Sequence, residues 1–145
     1  MRNRSVPVDA VLPHLTYTNL AEAITWLSRV FGFEEYLRYG DPVAGAEMRL
    51  GQAWIMVSDP GPWSRSPAET GYCTQMLTIF VDDVDGHYER VKAAGAKIVE
   101  DLLETGYGER QYGVEDVEGH RWLFSCHARD VDPGEWGATV TRPLK

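Results

Sequence analysis

The chain has 145 residues, of which 43% are apolar and 25% are charged, so it can form one domain with a sizeable core. Its 14 Lys and Arg residues stand against 22 Asp and Glu residues, which gives a formal net charge of −8. Nucleic acids and anionic lipids are bound through basic surfaces, so this balance argues against both as partners. A neutral or cationic small molecule, or another protein, suits the charge better.

The first half of the chain predicts a strand, a helix and three further strands. Residues Val8–Thr18 alternate loosely and are rich in Val, Leu, Thr and Tyr, which is typical of a strand. Asn19 is suited to cap the helix that follows, in which apolar residues recur at helical spacing up to Phe31, and Gly32 ends it. Turn-forming residues then separate three short strands: Glu34–Tyr39, Ala46–Leu50 and Ala53–Ser58.

A Pro- and Gly-rich linker at 59–71 separates this half from a second half with the same order of elements. Tyr72–Val81 predicts a strand. Asp82 or Asp83 then caps a helix that ends at Gly95. Three more strands are predicted at Lys97–Leu103, Arg110–Glu115 and Arg121–His127.

The second half therefore reads as a copy of the first. The helix-ending Gly32 corresponds to Gly95, 63 residues later, and Trp54 in the last strand corresponds to Trp122, 68 residues later. One such unit cannot bury its own sheet face, so the two copies must pair. The concave face between their sheets is the expected place for a ligand.

These observations predict an α+β fold made of two tandem βαβββ modules that form a half-barrel cleft within a single domain, 1–145. The first module covers 8–58 and the second covers 72–127. A tail at 128–145, in which Trp136 is the one large apolar residue, is expected to pack on the outside.

Three sequence segments carry a resemblance to a known family. They are Ala23–Leu27 followed by Phe31-Gly32-Phe33, then Val81-Asp82-Asp83 opening a helix that ends at Ala94-Gly95-Ala96, and finally Tyr107–Arg110 followed by Glu115–Gly119. Over residues 8–127 the pattern resembles the vicinal oxygen chelate superfamily, which includes glyoxalase I, bleomycin-resistance proteins and extradiol dioxygenases. The resemblance implies the paired βαβββ fold, whereas activity differs among members.

In the metal-dependent members of that superfamily, His, Gln or Glu side chains on the first and last strands of each module hold a divalent ion. The corresponding positions here are Leu12, Ile55, Met76 and Leu123, and none of these is a normal ligand for such an ion. We therefore expect neither a metal nor another cofactor.

The four histidines differ in whether the sequence predicts them to face the cleft. His14 shares a strand face with Leu12 and is the one histidine expected to face the cavity, either as a contact to a ligand or metal or as a hydrogen-bonded part of the wall. The other three are expected at the surface: His87, His120 and His127.

The predicted ligand contacts combine apolar walls, hydrogen-bonding groups and aromatic lids. Arg110 could pair with a ligand carboxylate, or with Asp116 or Glu118 in the acidic run that is expected to be a solvated hairpin tip. The alternative for the aromatic side chains is ordinary packing, and the alternative for the cleft is that side chains fill it. The predicted ligand-binding residues are His14, Thr16, Ile55, Trp63, Met76, Thr78, Tyr107, Arg110, Tyr112 and Leu123.

The opposite strand faces should form the core. The residues assigned to it are Leu77, Ile79, Val81, Trp122 and Phe124.

No nucleophile lies in a motif that would activate it, so no catalytic residue is assigned, although Glu47 or His14 could act in acid–base chemistry.

The favoured function is metal-free binding of a small molecule, similar to that of bleomycin-resistance proteins, with an antibiotic or other natural product held in an apolar cleft. One alternative is a metal-dependent lyase, isomerase or dioxygenase whose ligands lie at other positions. Another is a noncatalytic partner subunit with a closed pocket.

A homodimer is expected, because many members of the superfamily build their clefts across two chains. Its predicted interface uses the first and fifth strands and the tail around Trp136.

Cys73 and Cys126 are too few for a disulfide framework, and no stretch approaches the roughly 18 apolar residues of a membrane span. We therefore expect a cytoplasmic protein with no membrane partner.

Overall fold

The first module forms a four-stranded sheet covered on one face by a helix. The computed structural model describes residues 10–142, so Val8 at the start of the first predicted strand lies outside the described residues. The sheet order is β1-β4-β3-β2, with β1 parallel to β4 and the other neighbours antiparallel. The elements are β1 (His14–Thr16), α1 (Leu20–Trp26) continued by a π-helical turn (Leu27–Phe31), β2 (Glu34–Tyr39), β3 (Gly45–Leu50) and β4 (Ala53–Ser58).

The second module repeats this arrangement with the sheet order β5-β8-β7-β6. The linker before it carries a short helix, α2 (Pro67–Thr70), and the strand after it begins at Met76, four residues later than predicted. The predicted fold class of two βαβββ modules is confirmed. The elements of this half are β5 (Met76–Phe80), α3 (Val84–Ala93), β6 (Lys97–Glu104), β7 (Glu109–Glu115), β8 (Arg121–His127) and a final 3₁₀ turn (Pro133–Trp136).

The two long helices begin at equivalent capping residues. The side chain of Asn19 accepts a hydrogen bond from the backbone N–H of Glu22, and that of Asp83 accepts one from Gly86. From Asn19 to Gly32 the chain advances 13 residues, whereas from Asp83 to Gly95 it advances 12. The π-helical turn takes up this extra residue in the first module.

Both modules contribute to one hydrophobic core, which lies on the helix-bearing faces of the sheets. Phe31, at the end of the first helix, packs edge-on against two aromatic rings of the second sheet. Its ring centroid lies 5.3 Å from that of Trp122 and 4.8 Å from that of Phe124. The other two sheet faces, here called the concave faces, are left for a ligand or a partner.

The strand register shows that Ile55 belongs to the core and not to the cleft. Leu15 pairs with Val57 and His14 pairs with Met56, and directly paired side chains share a face. Leu15, Ile55 and Val57 are all buried, so the concave face of β4 carries the alternate residues, including Met56. The prediction that Ile55 contacts a ligand is therefore wrong by one residue, and a one-residue slip exchanges the two faces.

Among residues 10–142, no helix is both long enough and apolar enough to cross a lipid bilayer.

Candidate ligand-binding site

A buried carboxylate lies in the middle of the concave face of the first sheet. His14, Met56, Glu47 and Leu37 form a row across strands β1, β4, β3 and β2, each directly opposite the next. Glu47 is only 3% exposed, and its Oε2 atom has no hydrogen-bond partner in the described part of the chain. Burial raises the pKa of Glu47, and the nearby His14 opposes that rise.

Aromatic side chains flank this row on the same face. The ring of Trp54 contacts that of Tyr36 edge-on, with 5.3 Å between centroids, and the Arg49 guanidinium carbon lies 5.8 Å from the Trp54 ring. In the other direction along β3, the ring of Tyr39 covers Gly45. A Cβ atom at Gly45 would lie 2.2 Å from that ring, so only glycine allows Tyr39 this position.

The concave face of the second sheet has an equivalent row made of Thr78, Leu123, Gly113 and Glu100. Glu100 folds over Gly113, where a Cβ atom would lie 3.3 Å from the Glu100 Oε2 atom. Half or more of the surface of three apolar side chains on this face is exposed: Met76, Phe80 and Leu103.

The linker forms one wall of two cavities that adjoin the concave faces. A cavity of about 370 Å³ lies between the linker and β1, and one of about 770 Å³ lies between α2 and the row Met76–Arg121–Glu115–Lys97 of the second sheet. The side-chain amide of Gln75 donates a hydrogen bond of 3.0 Å to the carbonyl oxygen of His14. The residues shared by both cavities are Pro67, Tyr72 and Gln75.

This arrangement of two concave sheets can be compared with known proteins. The model of the Glyoxalase/Bleomycin resistance protein/Dioxygenase superfamily matches residues 9–124. The chain belongs to this superfamily. The resemblance inferred from the sequence is therefore confirmed.

Three known proteins illustrate what this chain is similar to, one in sequence and two in structure. An uncharacterized protein of Mycobacterium bovis is 29% identical over 140 residues, which cover 91% of this chain and 92% of that protein. TioX from Micromonospora sp. ML1 is 35% identical with a TM-score of 0.69, covering 86% of this chain and 100% of that chain. The fosfomycin resistance protein FosX from Listeria monocytogenes is 18% identical with a TM-score of 0.60, covering 85% of this chain and 94% of that chain, and this likeness concerns the fold alone.

A divalent metal of the kind implied by other superfamily members does not fit the residues present. At the centre of the two rows the first sheet offers His14 and Glu47, but the second sheet offers Thr78 and Leu123. Within the described ranges, no three His, Cys, Asp or Glu residues are grouped so that they could hold an ion. A structural or catalytic site for such an ion needs at least three protein ligands.

Several predicted ligand contacts lie beside the concave faces. His14, Thr16 and Trp63 line the smaller linker cavity, where the side chain of Trp63 is 93% exposed. Met76 lines the larger cavity. Thr78 and Leu123 occupy the central row of the second sheet.

Three other predicted contacts lie elsewhere in the fold. Tyr112 is fully buried on the core side of its sheet. Arg110 points to the helix side, where its Nη2 atom lies 2.7 Å from Asp85 Oδ1. It therefore makes neither of the two contacts predicted for it, with a ligand carboxylate or with the acidic run. The ring of Tyr107 contacts that of Trp136 in a tilted arrangement beside the β6–β7 turn, with 5.5 Å between centroids.

The acidic run at the β7–β8 turn is a junction between the modules and not a solvated tip. Asp116 is buried, and its carboxylate accepts hydrogen bonds from the Tyr17 hydroxyl at 2.6 Å and from the Trp122 indole at 3.0 Å. The Glu118 carboxylate accepts backbone N–H groups of Thr18 and Asn19 at 2.7 and 2.8 Å, just before α1.

Two histidines expected at the surface are withdrawn from it, His120 fully and His87 in part. His120 is buried and donates through Nε2 to the carbonyl oxygen of Thr16 at 2.7 Å. His87 donates through Nε2 to the carbonyl oxygen of Phe31 at 2.8 Å and accepts from the Tyr112 hydroxyl at Nδ1. Burial lowers the pKa of His87. The remaining one, His127, is exposed as predicted.

Sequence reasoning missed the aromatic and thioether side chains around Glu47. A usable signal was present in β3, where Gly45, Glu47 and Arg49 alternate with apolar residues. This alternation places Glu47 opposite the core and, through antiparallel pairing with β4, places Met56 beside it.

Proposed function

We propose that this protein binds a small apolar or aromatic molecule on its concave faces and holds it without chemical change. The sequestered molecule would be an antibiotic or another natural product, in keeping with the bleomycin-resistance branch of the superfamily. The observation that carries the proposal is the position of the buried side-chain polar atoms that have no hydrogen-bond partner in the described chain. All of them lie on the concave faces, and they are Glu47 Oε2, Glu109 Oε2 and Ser125 Oγ. Such atoms are costly unless something completes their hydrogen bonds.

The apolar surface beside these atoms supports the same proposal. Phe80 is 65% exposed, and Met76 and Leu103 are about half exposed, on a face that also carries hydrogen-bonding groups. Ligand sites combine apolar walls with a few such groups. The net charge of −8 favours a cationic ligand over an anionic one through long-range attraction.

We further propose that the protein is a cytoplasmic homodimer. The edge strands β1 and β5 and the tail around Trp136 are offered as its interface, as the sequence predicts. Trp136 is 47% exposed beside Tyr107, which is consistent with further coverage by a second chain. Sedimentation equilibrium tests this, and a mass of 16.3 kDa at all concentrations contradicts it.

The function is tested on untagged protein. Elemental analysis and calorimetric titration with Ni²⁺, Zn²⁺, Mn²⁺ and Fe²⁺ come first, because stoichiometric tight binding lost in His14→Ala would contradict metal-free sequestration. A panel of aromatic antibiotics, including bleomycin, is then screened for an increase in melting temperature. Hits should be recovered chemically unchanged after incubation.

A matched pair of variants locates the binding face. Phe80→Ala removes an exposed apolar side chain from the concave face, and Val140→Ala removes a similarly exposed one from the tail. Ligand affinity should fall in Phe80→Ala and stay unchanged in Val140→Ala. Equal affinities in all three proteins would place binding elsewhere.

A further inference from the structure

We infer that Glu47 is the anionic anchor for a protonated nitrogen of the ligand, a class of group that includes primary and secondary ammonium ions. This inference deepens the proposed sequestration function and rests on it. It concerns one subsite at the centre of the first concave face, where Glu47 lies between Met56 and Leu37.

Glu47 differs from Glu115 and Asp116, two other carboxylates withdrawn from solvent, because the fold supplies both of those with partners. Glu115 lies 3.3 Å from Lys97 Nζ and also approaches Arg121. Asp116 accepts four hydrogen bonds. Glu47 is as buried as these groups or more so, yet its Oε2 atom has no hydrogen-bond partner in the described chain. A buried carboxylate of this kind is strongly destabilising unless a cation or several donors reach it.

The basic side chain nearest along β3 is committed elsewhere. Arg49 lies two residues beyond Glu47 on the same face, but its Nη2 atom lies 3.0 Å from Glu34 Oε2 and its guanidinium is held over the Trp54 ring. His14 lies on the far side of Met56 in the same row, and no ion pair joins it to Glu47 within the described residues. Neither basic side chain on this face forms an ion pair with Glu47, which leaves the Oε2 atom of its carboxylate available to a cationic group of a ligand.

The side chains around Glu47 suit a cation that carries apolar groups. Trp54 and Tyr36 form an edge-on pair to one side, and Tyr39 lies over Gly45 to the other. Aromatic faces attract cations, and a carboxylate between aromatic side chains can bind the charged end of an ammonium while the rings contact its substituents. An anionic or uncharged ligand would leave Glu47 uncompensated.

The second module places a carboxylate at the equivalent position by a different route. Gly113 occupies the place of Glu47 in the row, and Glu100 from the neighbouring strand folds over it. Two unrelated residues thus bring a negative charge to the same point of each concave face. This repetition favours a role toward a ligand over a local packing role for Glu47.

Two probes with the same apolar group, one cationic and one neutral, test the inference. They are 2-naphthylmethylammonium and its neutral analogue 2-naphthylmethanol, titrated into wild-type protein at pH 7 while tryptophan fluorescence or amide NMR shifts are followed. The wild type should prefer the ammonium by at least tenfold. In Glu47→Gln that preference should fall to about threefold or less, while the affinity for the alcohol stays the same.

Glu89→Gln is the matched control, because it removes one negative charge from an exposed position on α3. It should retain the full preference for the ammonium. Near-ultraviolet circular dichroism confirms that each variant is folded. In a crystal of the complex, the probe nitrogen should lie within about 3.2 Å of Glu47 Oε2.

The outcomes separate this inference from the function on which it rests. Equal binding of the two probes by the wild type would leave small-molecule binding intact and overturn the role of Glu47. An equal loss of preference in Glu47→Gln and Glu89→Gln would assign the preference to net charge and also overturn it. Binding of neither probe, nor of any compound in the antibiotic panel, would overturn both.

Discussion

Tyr17 donates a hydrogen bond of 2.6 Å to Asp116, which lies 99 positions later in the sequence. This bond joins the end of β1 to the β7–β8 turn and so connects the first module to the second. Burial, together with the adjacent negative charge of Asp116, raises the pKa of the Tyr17 hydroxyl well above its ordinary value, which favours the protonated form that donates this bond.

The Tyr17–Asp116 bond should contribute measurably to the stability of the junction. Tyr17→Phe removes one donor from a carboxylate that keeps three others, so we expect a loss of about 1–2 kcal/mol in the free energy of unfolding. Asp116→Ala leaves several donors unpaired and should cost about 3–5 kcal/mol. Urea denaturation of the two single variants and the double variant gives the coupling energy, and a coupling near zero would contradict this account.

The role of this junction could not be read from the sequence. Short clusters of acidic residues are usually solvated, and nothing near Asp116 in the sequence indicates its buried donor Tyr17. The overall fold was predictable because local signals mark it: Asn19 and Asp83 cap equivalent helices, and Gly32 and Gly95 end them. Contacts between modules depend on how the two copies pack, which local signals do not determine.

The face of β4 was mispredicted for a related reason. Matching Trp54 to Trp122 by residue type shifted the repeat by one position, whereas the strand pairing makes Val57 equivalent to Phe124. Trp54 lies on the concave face and Trp122 lies in the core. Because alternate strand residues point to opposite faces, this single shift exchanged Ile55 for Met56 in the predicted site.

His87 should make the folded protein less stable as the pH falls. Burial lowers its pKa in the folded state below the unfolded value of about 6.5. Below that value the unfolded chain binds a proton that the folded chain resists, so stability decreases as the pH falls through about 6.5. The free energy of unfolding, measured from pH 8 to pH 5, should fall less steeply in His87→Gln than in the wild type.

His127 provides the opposite control for this pH dependence. Its hydrogen bonds to Asp130 and Glu109 raise its pKa, so its contribution is present below about 6.5 and is lost as the pH rises through the folded-state value. His127→Gln should therefore lose stability more steeply in acid than the wild type does. Parallel curves for the two variants would rule out the assignment to His87.

Arg110 should have no effect on ligand affinity. Its guanidinium forms a bidentate contact with Asp85 on the helix side of the second sheet, away from the concave face. Asp85, whose pKa is lowered by this contact, lies at the start of α3. Arg110→Ala should bind a ligand found in the antibiotic panel as tightly as the wild type, and a tenfold loss of affinity measured by calorimetry would return Arg110 to the binding site.

Glu47 should reduce the stability of the ligand-free protein. Its carboxylate is buried without a partner for Oε2, so Glu47→Gln should raise the free energy of unfolding at pH 7 by about 1 kcal/mol. The pKa of Glu47 is raised in the folded state, so the folded chain holds a proton more readily and stability falls as the pH rises above the unfolded value of about 4.3. The gain in Glu47→Gln should therefore disappear below that pH.

Denaturation of the wild type and Glu47→Gln at pH 4 and pH 7 measures this difference directly, with Glu89→Gln as the control for net charge. A ligand that neutralises Glu47 should reverse the order of stability, because the wild type then gains an ion pair that the variant cannot form. A destabilised Glu47→Gln at pH 7 without ligand would mean that the fold itself uses this carboxylate. Glu47 would then serve the stability of the fold, and the physical argument for its role as an anchor would be lost.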